Sequence, residues 1–259
     1  MGRTIAMASG KGGVGKTTVT ANLGVALAKL GQKTLVVDAD IAMANLSLLF
    51  GIQSAPITLH DVLMGEAEIY DAMYDGPFGL KIIPSGLSLT AYRKVEPQKM
   101  EGLLSRIKNE FDFILVDVPA GIGDNAIAAL SSSGETILVV TPDPASLADA
   151  LKTKLMAERI GVKPIGAIVN MVRGIKGEAS EEDIRHVLEL PVLGSIPDDI
   201  EVRKSFLMRK PKPVVLRNPN AKASRAFMRI AARLSGVAPP KPKRGGLISF
   251  IKALLHRKQ

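Results

Sequence analysis

A glycine-rich segment near the N-terminus has the residue types and spacing to bind phosphate. It follows an apolar run, precedes a helical pattern and reads Gly10-Lys11-Gly12-Gly13-Val14-Gly15-Lys16-Thr17-Thr18. Glycines let the backbone wrap around phosphate oxygens, and the N–H groups that open a helix point at the anion. We predict that Lys16 bridges the β- and γ-phosphates of a nucleotide and that the Thr17 hydroxyl ligates Mg²⁺.

Acidic residues follow two other apolar runs. Asp38 and Asp40 come at the end of Val36-Val37-Asp38-Ala39-Asp40, and Asp117 ends Phe113–Asp117. Carboxylates at the ends of strands can face the γ-phosphate, its attacking water and Mg²⁺. A helix cap or turn is the simpler alternative for Asp38 and Asp40, and a buried strand-end carboxylate is the alternative for Asp117.

Apolar runs that alternate with helical patterns must position these side chains. Strands are predicted over Thr4–Ser9, Thr34–Asp38, Leu80–Pro84, Phe113–Asp117, Thr136–Thr141, Ile165–Asn170 and Val192–Ile196. Helices are predicted over Lys16–Leu30, Glu96–Glu110, Asn125–Ser131, Ala145–Ile160, Glu181–Leu190, Asp199–Met208 and Asn220–Leu234. Strands that are apolar throughout indicate a parallel sheet covered on both faces. We therefore expect a three-layer α/β P-loop NTPase fold with a mostly parallel sheet of about seven or eight strands.

Composition excludes some classes of protein and suggests an anionic partner. The 259 residues include no Cys, so a disulfide framework or a Cys-ligated cluster is excluded. No signal-like or membrane-spanning apolar stretch is present, so we expect a soluble intracellular protein. Residues 1–201 contain 18 Lys/Arg and all 25 acidic residues, whereas residues 202–259 contain 16 Lys/Arg and no acid. The basic C-terminal part is typical of contact with nucleic acid or a membrane surface, although a solvated basic face is the alternative.

The second lysine of the phosphate loop points to a family. A plain phosphate loop needs only Lys16, but this one also has Lys11. With it, Lys11–Thr18 resembles the motif of the deviant Walker A ATPases, the MinD/ParA group. The resemblance implies that Lys11 reaches the nucleotide of a partner subunit in an ATP-sandwiched homodimer. A surface lysine near the loop is the alternative.

The same resemblance implies roles for the residues that follow the second strand. Asp40 matches the position that orients the attacking water and lies near Mg²⁺. Asp38 matches a supporting residue near the metal, and Asn45 matches an asparagine that senses the γ-phosphate. Two positions depart from the division-site members, since Ala44 stands where they have Arg and Ser47 where they have Asp. The regulators that meet this segment are therefore left open.

Later segments match the group as well. Asp117 is followed by Val118-Pro119-Ala120-Gly121, which resembles the family's Asp-x-Pro-Ala-Gly and implies a water-mediated Mg²⁺ contact for Asp117. Asn170 matches an adenine-contacting asparagine. Pro197 and Asp199 lie in a loop that borders the base in relatives, and loop capping is the alternative for Asp199.

The chain divides into a domain over residues 1–236, a Pro/Lys linker over 237–244 and a short element over 245–259. Helical spacing places six large apolar side chains within about 160° of the last element's circumference: Leu247, Ile248, Phe250, Ile251, Leu254 and Leu255. A basic amphipathic helix behind a linker is typical of an interfacial membrane anchor, and docking on its own core is the alternative. MinD proteins carry such a helix, which narrows the resemblance to MinD-like members.

Together these features predict a slow, Mg²⁺-dependent ATPase that binds ATP and ADP. We expect it to dimerise, to bind the inner face of the cell membrane from the cytoplasm, and to position division machinery with a regulatory protein partner. A ParA-like partition ATPase would instead use Arg203, Lys204, Arg209, Lys210 and Arg217 on DNA. A regulator of flagellar number and a non-hydrolysing nucleotide-binding scaffold are further alternatives, whereas a cluster carrier would need cysteines.

Overall fold

A computed structural model of the chain describes residues 2–40, 45–52, 54–86 and 99–238. Ala44, the first residues of the helix predicted over Glu96–Glu110, most of the linker and the whole 245–259 element lie outside the described residues. The three-part division of the chain and the amphipathic anchor therefore stay predictions.

Eight strands of the described chain form one sheet. They are β1 (Arg3–Ala8), β2 (Thr34–Asp38), β3 (Tyr74–Asp75), β4 (Lys81–Ile83), β5 (Phe113–Asp117), β6 (Glu135–Val140), β7 (Lys163–Val172) and β8 (Val192–Pro197). Their order is β3-β4-β2-β5-β1-β6-β7-β8. Only the short β3 runs antiparallel to its neighbour, β4. The predicted fold, a mostly parallel sheet of seven or eight strands, is confirmed.

Ten α-helices connect or cover these strands within the described residues. They are α1 (Lys16–Lys29), α2 (Leu46–Leu49), α3 (Leu59–Met64), α4 (Met100–Ile107), α5 (Asp124–Ser131), α6 (Pro144–Arg159), α7 (Glu181–Leu188), α8 (Ile200–Phe206), α9 (Val214–Arg217) and α10 (Lys222–Ser235). The longer helices agree with the prediction from sequence, whereas α2, α3 and α9 were not predicted. No described helix is long and apolar enough to cross a membrane.

The apolar strands supply two cores, one on each face of the sheet. Successive side chains of a strand point to opposite faces, so Ala6 lies in one core while Ile5 and Met7 lie in the other. Helices α3 to α7 cover the first core. Helices α1, α2 and α8 to α10 cover the second. Because both faces are covered, polar groups gather at the ends of the strands, where the site is built.

Helix α1, which follows the phosphate loop, approaches the sheet closely at Gly24. A Cβ atom on Gly24 would lie 2.4 Å from Val36 Cγ2 of β2. Contacts that short do not occur between packed carbon atoms, so a larger residue would push α1 away from the sheet. The close packing of α1 against the sheet depends on this glycine. The direction of the phosphate loop, which precedes α1, therefore depends on it as well.

We predict that Gly24→Ala lowers the free energy of unfolding by about 1–3 kcal/mol, although alanine favours a helix. Gly102 on α4 is the matched control, because a Cβ there meets nothing within 4 Å. Gly102→Ala should raise the free energy of unfolding by about 0.5–1 kcal/mol. Urea unfolding measures both, and equal effects would contradict the packing argument.

Candidate functional site

A cleft of about 640 Å³ opens where the phosphate loop meets the loops after β2 and β5. It is lined by Ser9, Lys11, Gly12, Gly13, Val14, Gly15, Lys16, Thr17, Thr18, Asp40, Asn45, Leu48, Leu49, Ala120, Phe206 and Pro211. The structure thus brings together the predicted loop, Asp40 and Asn45. The apolar lining from Leu48, Leu49, Phe206 and Pro211 was not predicted, because its residues come from two distant segments.

The phosphate loop leaves the start of α1 open to an anion. Helix α1 has no side-chain cap and no acidic residue in its first turn. Its first N–H groups and the positive end of its dipole therefore favour a negatively charged ligand. Lys16, the first residue of α1, adds a full positive charge at the same place.

Asn170, at the other side of the loop, braces it. Its Nδ2 donates to the Val14 carbonyl oxygen at 2.8 Å. Gly15 adopts a φ of 83°, and a Cβ there would lie 2.4 Å from Asn170 Nδ2. Only glycine meets both conditions without strain. In this structure Asn170 is placed to shape the phosphate loop, and its predicted contact with adenine stays a prediction.

Lys16 forms a buried ion pair at the centre of the site. Its Nζ lies 2.9 Å from Asp117 Oδ1, and the two side chains are only 7% and 1% exposed. The Thr20 hydroxyl, one turn along α1, lies 3.0 Å from the same Oδ1. Thr20 was missed by the sequence analysis, although its spacing of four residues from Lys16 places it on the same helix face.

Asp38 lies beside this pair. Residues 38 and 117 are partners in the register of β2 and β5. Asp38 accepts backbone hydrogen bonds from Asp40 (3.2 Å) and Leu46 (3.1 Å). Burial, and then the nearby Asp117 carboxylate, raises the pKa of Asp38 well above its ordinary value. Two buried carboxylates thus share one lysine, which leaves the cluster short of positive charge.

This cluster fits a magnesium ion. Asp117 Oδ2 is buried and has no hydrogen-bond partner. Carboxylate, hydroxyl and phosphate oxygens are the ligands that Mg²⁺ prefers, and it uses few from the protein itself. The described residues contain no cluster of three or more His, Cys, Asp or Glu that could hold a metal. The oxygen atoms of Thr17, Asp38, Asp40 and Asp117 are of the kind that Mg²⁺ prefers. Their metal contacts stay predictions.

Lys11 is held at the far end of the loop by an acid that sequence reasoning missed. Its Nζ lies 3.1 Å from Asp143 Oδ1. Asp143 also caps α6 by accepting from the Ser146 N–H at 2.9 Å, and it accepts from the Thr141 hydroxyl. Although partial burial acts in the opposite direction, hydrogen bonds from Thr141, Ser146 and Lys11 lower the pKa of Asp143. The carboxylate is therefore charged at neutral pH.

Pro197 and Asp199 are not among the residues that line the cleft. Pro197 ends β8. Asp199 caps α8, with Oδ1 accepting from Glu201 N–H and Oδ2 from Ala223 N–H, both at 3.0 Å. Asp199 thus ties the start of α8 to the start of α10. The capping alternative has geometric support in this structure, and contact of either residue with the base stays a prediction.

Comparisons with known proteins agree with this fold. The model of the ParA family, described as "NUBPL iron-transfer P-loop NTPase", matches residues 1–235. The chain is 46% identical to an uncharacterised ATP-binding protein of Methanocaldococcus jannaschii, over 100% of this chain and 98% of that one. It is 36% identical to the septum site-determining protein MinD of Synechocystis (91% of this chain, 90% of that one) and 33% identical to the antiactivator FleN of Pseudomonas aeruginosa (98% and 93%).

Solved structures of MinD proteins also resemble this chain over most of its length. The cell division ATPase MinD of Pyrococcus furiosus superposes with a TM-score of 0.87 at 38% identity, over 92% of this chain and 100% of that one. MinD of Pyrococcus horikoshii complexed with Mg-ADP gives 0.87 and 38%, over 94% and 100%. The MinC:MinD cell division protein complex of Aquifex aeolicus gives 0.81 and 33%, over 94% and 100%. The chain belongs to the ParA family of P-loop NTPases, and its MinD relatives match it over most of its length.

We predict that Asp199→Ala lowers the free energy of unfolding by about 1–2 kcal/mol, because two backbone N–H groups lose their acceptor. Nucleotide affinity should stay unchanged. The neighbouring Asp198→Ala is the control, since it removes only a partly exposed ion pair with Arg173. Urea unfolding and nucleotide titration check both variants. A large loss of nucleotide affinity with unchanged stability would instead assign Asp199 to the base.

Proposed function

We propose that the chain is an ATP-dependent, dimerising ATPase of the MinD type that cycles on the inner face of the cell membrane and positions division machinery. It binds ATP and ADP with Mg²⁺ in the cleft built on the phosphate loop. The observation that carries the proposal is the convergence of Lys11, Lys16, Asp40 and Asn45 on that one cleft. A regulatory protein partner of unknown identity completes the proposal, as the MinC:MinD complex exemplifies for the MinD of Aquifex aeolicus.

The cleft supplies the parts that ATP hydrolysis needs. Lys16 and the open N-terminus of α1 bind and orient the phosphates. When bound, Mg²⁺ neutralises phosphate charge, and Thr17, Asp117 and Asp38 would hold it. Asp40, which follows β2 and lines the cleft, would accept a hydrogen bond from the attacking water. Asn45, at the start of α2, lines the same cleft and would sense the γ-phosphate.

The contacts of Lys11 support the dimerisation step of the proposal. Its ion pair with Asp143 joins side chains that are 35% and 43% exposed. Such a pair is screened by solvent and contributes less than about 1 kcal/mol. Lys11 can therefore leave Asp143 at low cost and reach the nucleotide of a second subunit, so each subunit would complete its partner's site.

Dimerisation would switch membrane affinity through the 245–259 element. A single short amphipathic helix binds a bilayer weakly. In a dimer the second insertion is intramolecular, which can raise the overall affinity by roughly 10²–10⁴. ATP would thus favour the membrane-bound state, and hydrolysis would release the protein.

Vesicle co-sedimentation with ATP or ADP tests this proposal. We predict that the full chain binds anionic vesicles in ATP and loses most of that binding in ADP. Deletion of residues 245–259 should abolish vesicle binding and spare nucleotide binding. Vesicle binding that persists after the deletion would place the main anchor elsewhere.

The Asp40→Ala variant is the control that separates ATP binding from ATP hydrolysis. It removes the group proposed to orient the attacking water, so it should bind ATP, dimerise and stay on vesicles without turnover. Normal hydrolysis by Asp40→Ala would contradict the role given to this residue.

A partition ATPase that acts on DNA is the second candidate. It is supported by a stripe of exposed cations on α10, formed by Lys222, Arg225, Arg229 and Arg233. Phosphate contacts by such a stripe would make binding strongly salt-dependent. ATP-dependent DNA binding without vesicle binding would favour this candidate over the membrane proposal. A regulator of flagellar number stays a variant of the membrane-cycling function, and the chain also has the antiactivator FleN among its relatives.

A further inference from the structure

Three consecutive large apolar side chains are exposed at the end of α8. Phe206 is 40% exposed, Leu207 85% and Met208 42%. We call them the apolar loop. Isolated exposed apolar residues are common, but three in a row at one projecting turn are characteristic of a contact surface.

Cations surround the apolar loop. Arg203, Lys204, Arg209, Lys210 and Lys212 are all exposed. Of these five, only Lys204 makes an ion pair with another described residue, Glu201. The chain has no acidic residue after Glu201. The loop therefore presents an apolar tip that is flanked along the chain by cations, most of them without an ion pair to a described residue.

The base of the loop is fixed while its tip projects. Ser205 is buried, and its hydroxyl donates to the Val202 carbonyl oxygen at 2.6 Å. The Lys212 N–H donates to the Ser205 carbonyl oxygen at 3.4 Å and so closes the loop. Phe206 and Pro211 line the nucleotide cleft. The loop thus stands at the rim of the cleft, beside the carboxyl ends of the strands.

The loop shares a sheet face with the helix that leads to the C-terminal element. Helices α8 and α10 pack on the same core, and Asp199 joins their starts. Helix α10 then runs to the opposite edge of the sheet, where the Leu234 carbonyl oxygen accepts from Arg3 Nη1 at 3.2 Å. The exposed cations of α10 lie along this helix, between its two ends. One face therefore carries the apolar loop at one end and Leu234, near the end of α10, at the other.

We propose that the α8–α10 face lies on an anionic lipid bilayer. The apolar loop would insert into this bilayer as a second contact, in addition to the C-terminal element. An interface of acyl chains and anionic headgroups accommodates apolar side chains and their flanking cations at once. Nucleic acid would engage the cations but offer nothing to Leu207. The proposal rests on the membrane association proposed above and adds the orientation of the domain on the membrane.

A site-specific fluorophore tests the insertion. Because the chain has no cysteine, Leu207→Cys in the full chain carries one label. The exposure of Leu207 means that the label does not disturb the core. With ATP, Mg²⁺ and vesicles of phosphatidylglycerol and phosphatidylcholine, an environment-sensitive dye at position 207 should shift its emission to the blue. Brominated acyl chains should quench it.

The matched control is Leu155→Cys. Leu155 is 55% exposed on α6, which covers the other face of the sheet, so its label should report water throughout. In unlabelled protein, Leu207→Glu should weaken vesicle binding roughly five- to tenfold, because a charged side chain replaces an apolar one at the interface. Leu155→Glu should leave vesicle binding unchanged.

A label at Phe250→Cys separates failure of this inference from failure of the proposed function. Insertion at position 250 without insertion at 207 would overturn the inference and leave membrane cycling intact. Insertion at neither position would overturn both. A blue shift at 207 on addition of ATP without vesicles would assign the loop to a contact between subunits. A shift with DNA alone would assign it to nucleic acid.

Discussion

The buried ion pair between Lys16 and Asp117 is the interaction on which the site depends. It joins the first residue of α1 to the last residue of β5 at 2.9 Å, and both side chains are buried. Asp38 stands next to Asp117 in the sheet register, so a second buried carboxylate lies beside the pair and interacts electrostatically with the same lysine. An arrangement that leaves negative charge buried is unfavourable unless a cation joins it. The pKa of Asp38 is raised because of its burial and the nearby negative charge of Asp117, which reflects the same excess of buried negative charge.

The rest of the fold can be understood as support for that cluster. Strands β2, β5 and β1 lie side by side, so Asp38, Asp117 and the phosphate loop leave the sheet at one edge. Both faces of the sheet are closed by apolar cores, and Gly24 lets α1 approach β2 closely. Asn170 and Asp143 then hold the loop from the β7 and β6 side. The loop is thus supported along its length while its N–H groups stay open to a ligand.

The sequence predicted those parts of the structure that are encoded locally. The phosphate loop is a contiguous motif, and the long strands are unbroken apolar runs, so both could be recognised without the fold. The two-residue β3 and the four-residue α2 and α9 have too few residues for any periodicity. Thr20 and Asp143 gain their roles only because the fold brings α1 to Asp117 and the start of α6 to Lys11. The contact of Asn170 with Val14 spans 156 positions of sequence and was equally hidden.

The central claim is that the Asp117 carboxylate makes nucleotide binding depend on Mg²⁺. Titration of a fluorescent ATP analogue with excess Mg²⁺ or with EDTA tests it in the wild type and in Asp117→Asn, which keeps the shape of the side chain. We predict that Mg²⁺ tightens binding to the wild type by about tenfold or more and changes binding to Asp117→Asn by less than about twofold. Asp143→Asn, outside the cluster, should retain the full Mg²⁺ effect. An equal Mg²⁺ effect in Asp117→Asn and the wild type would contradict the account.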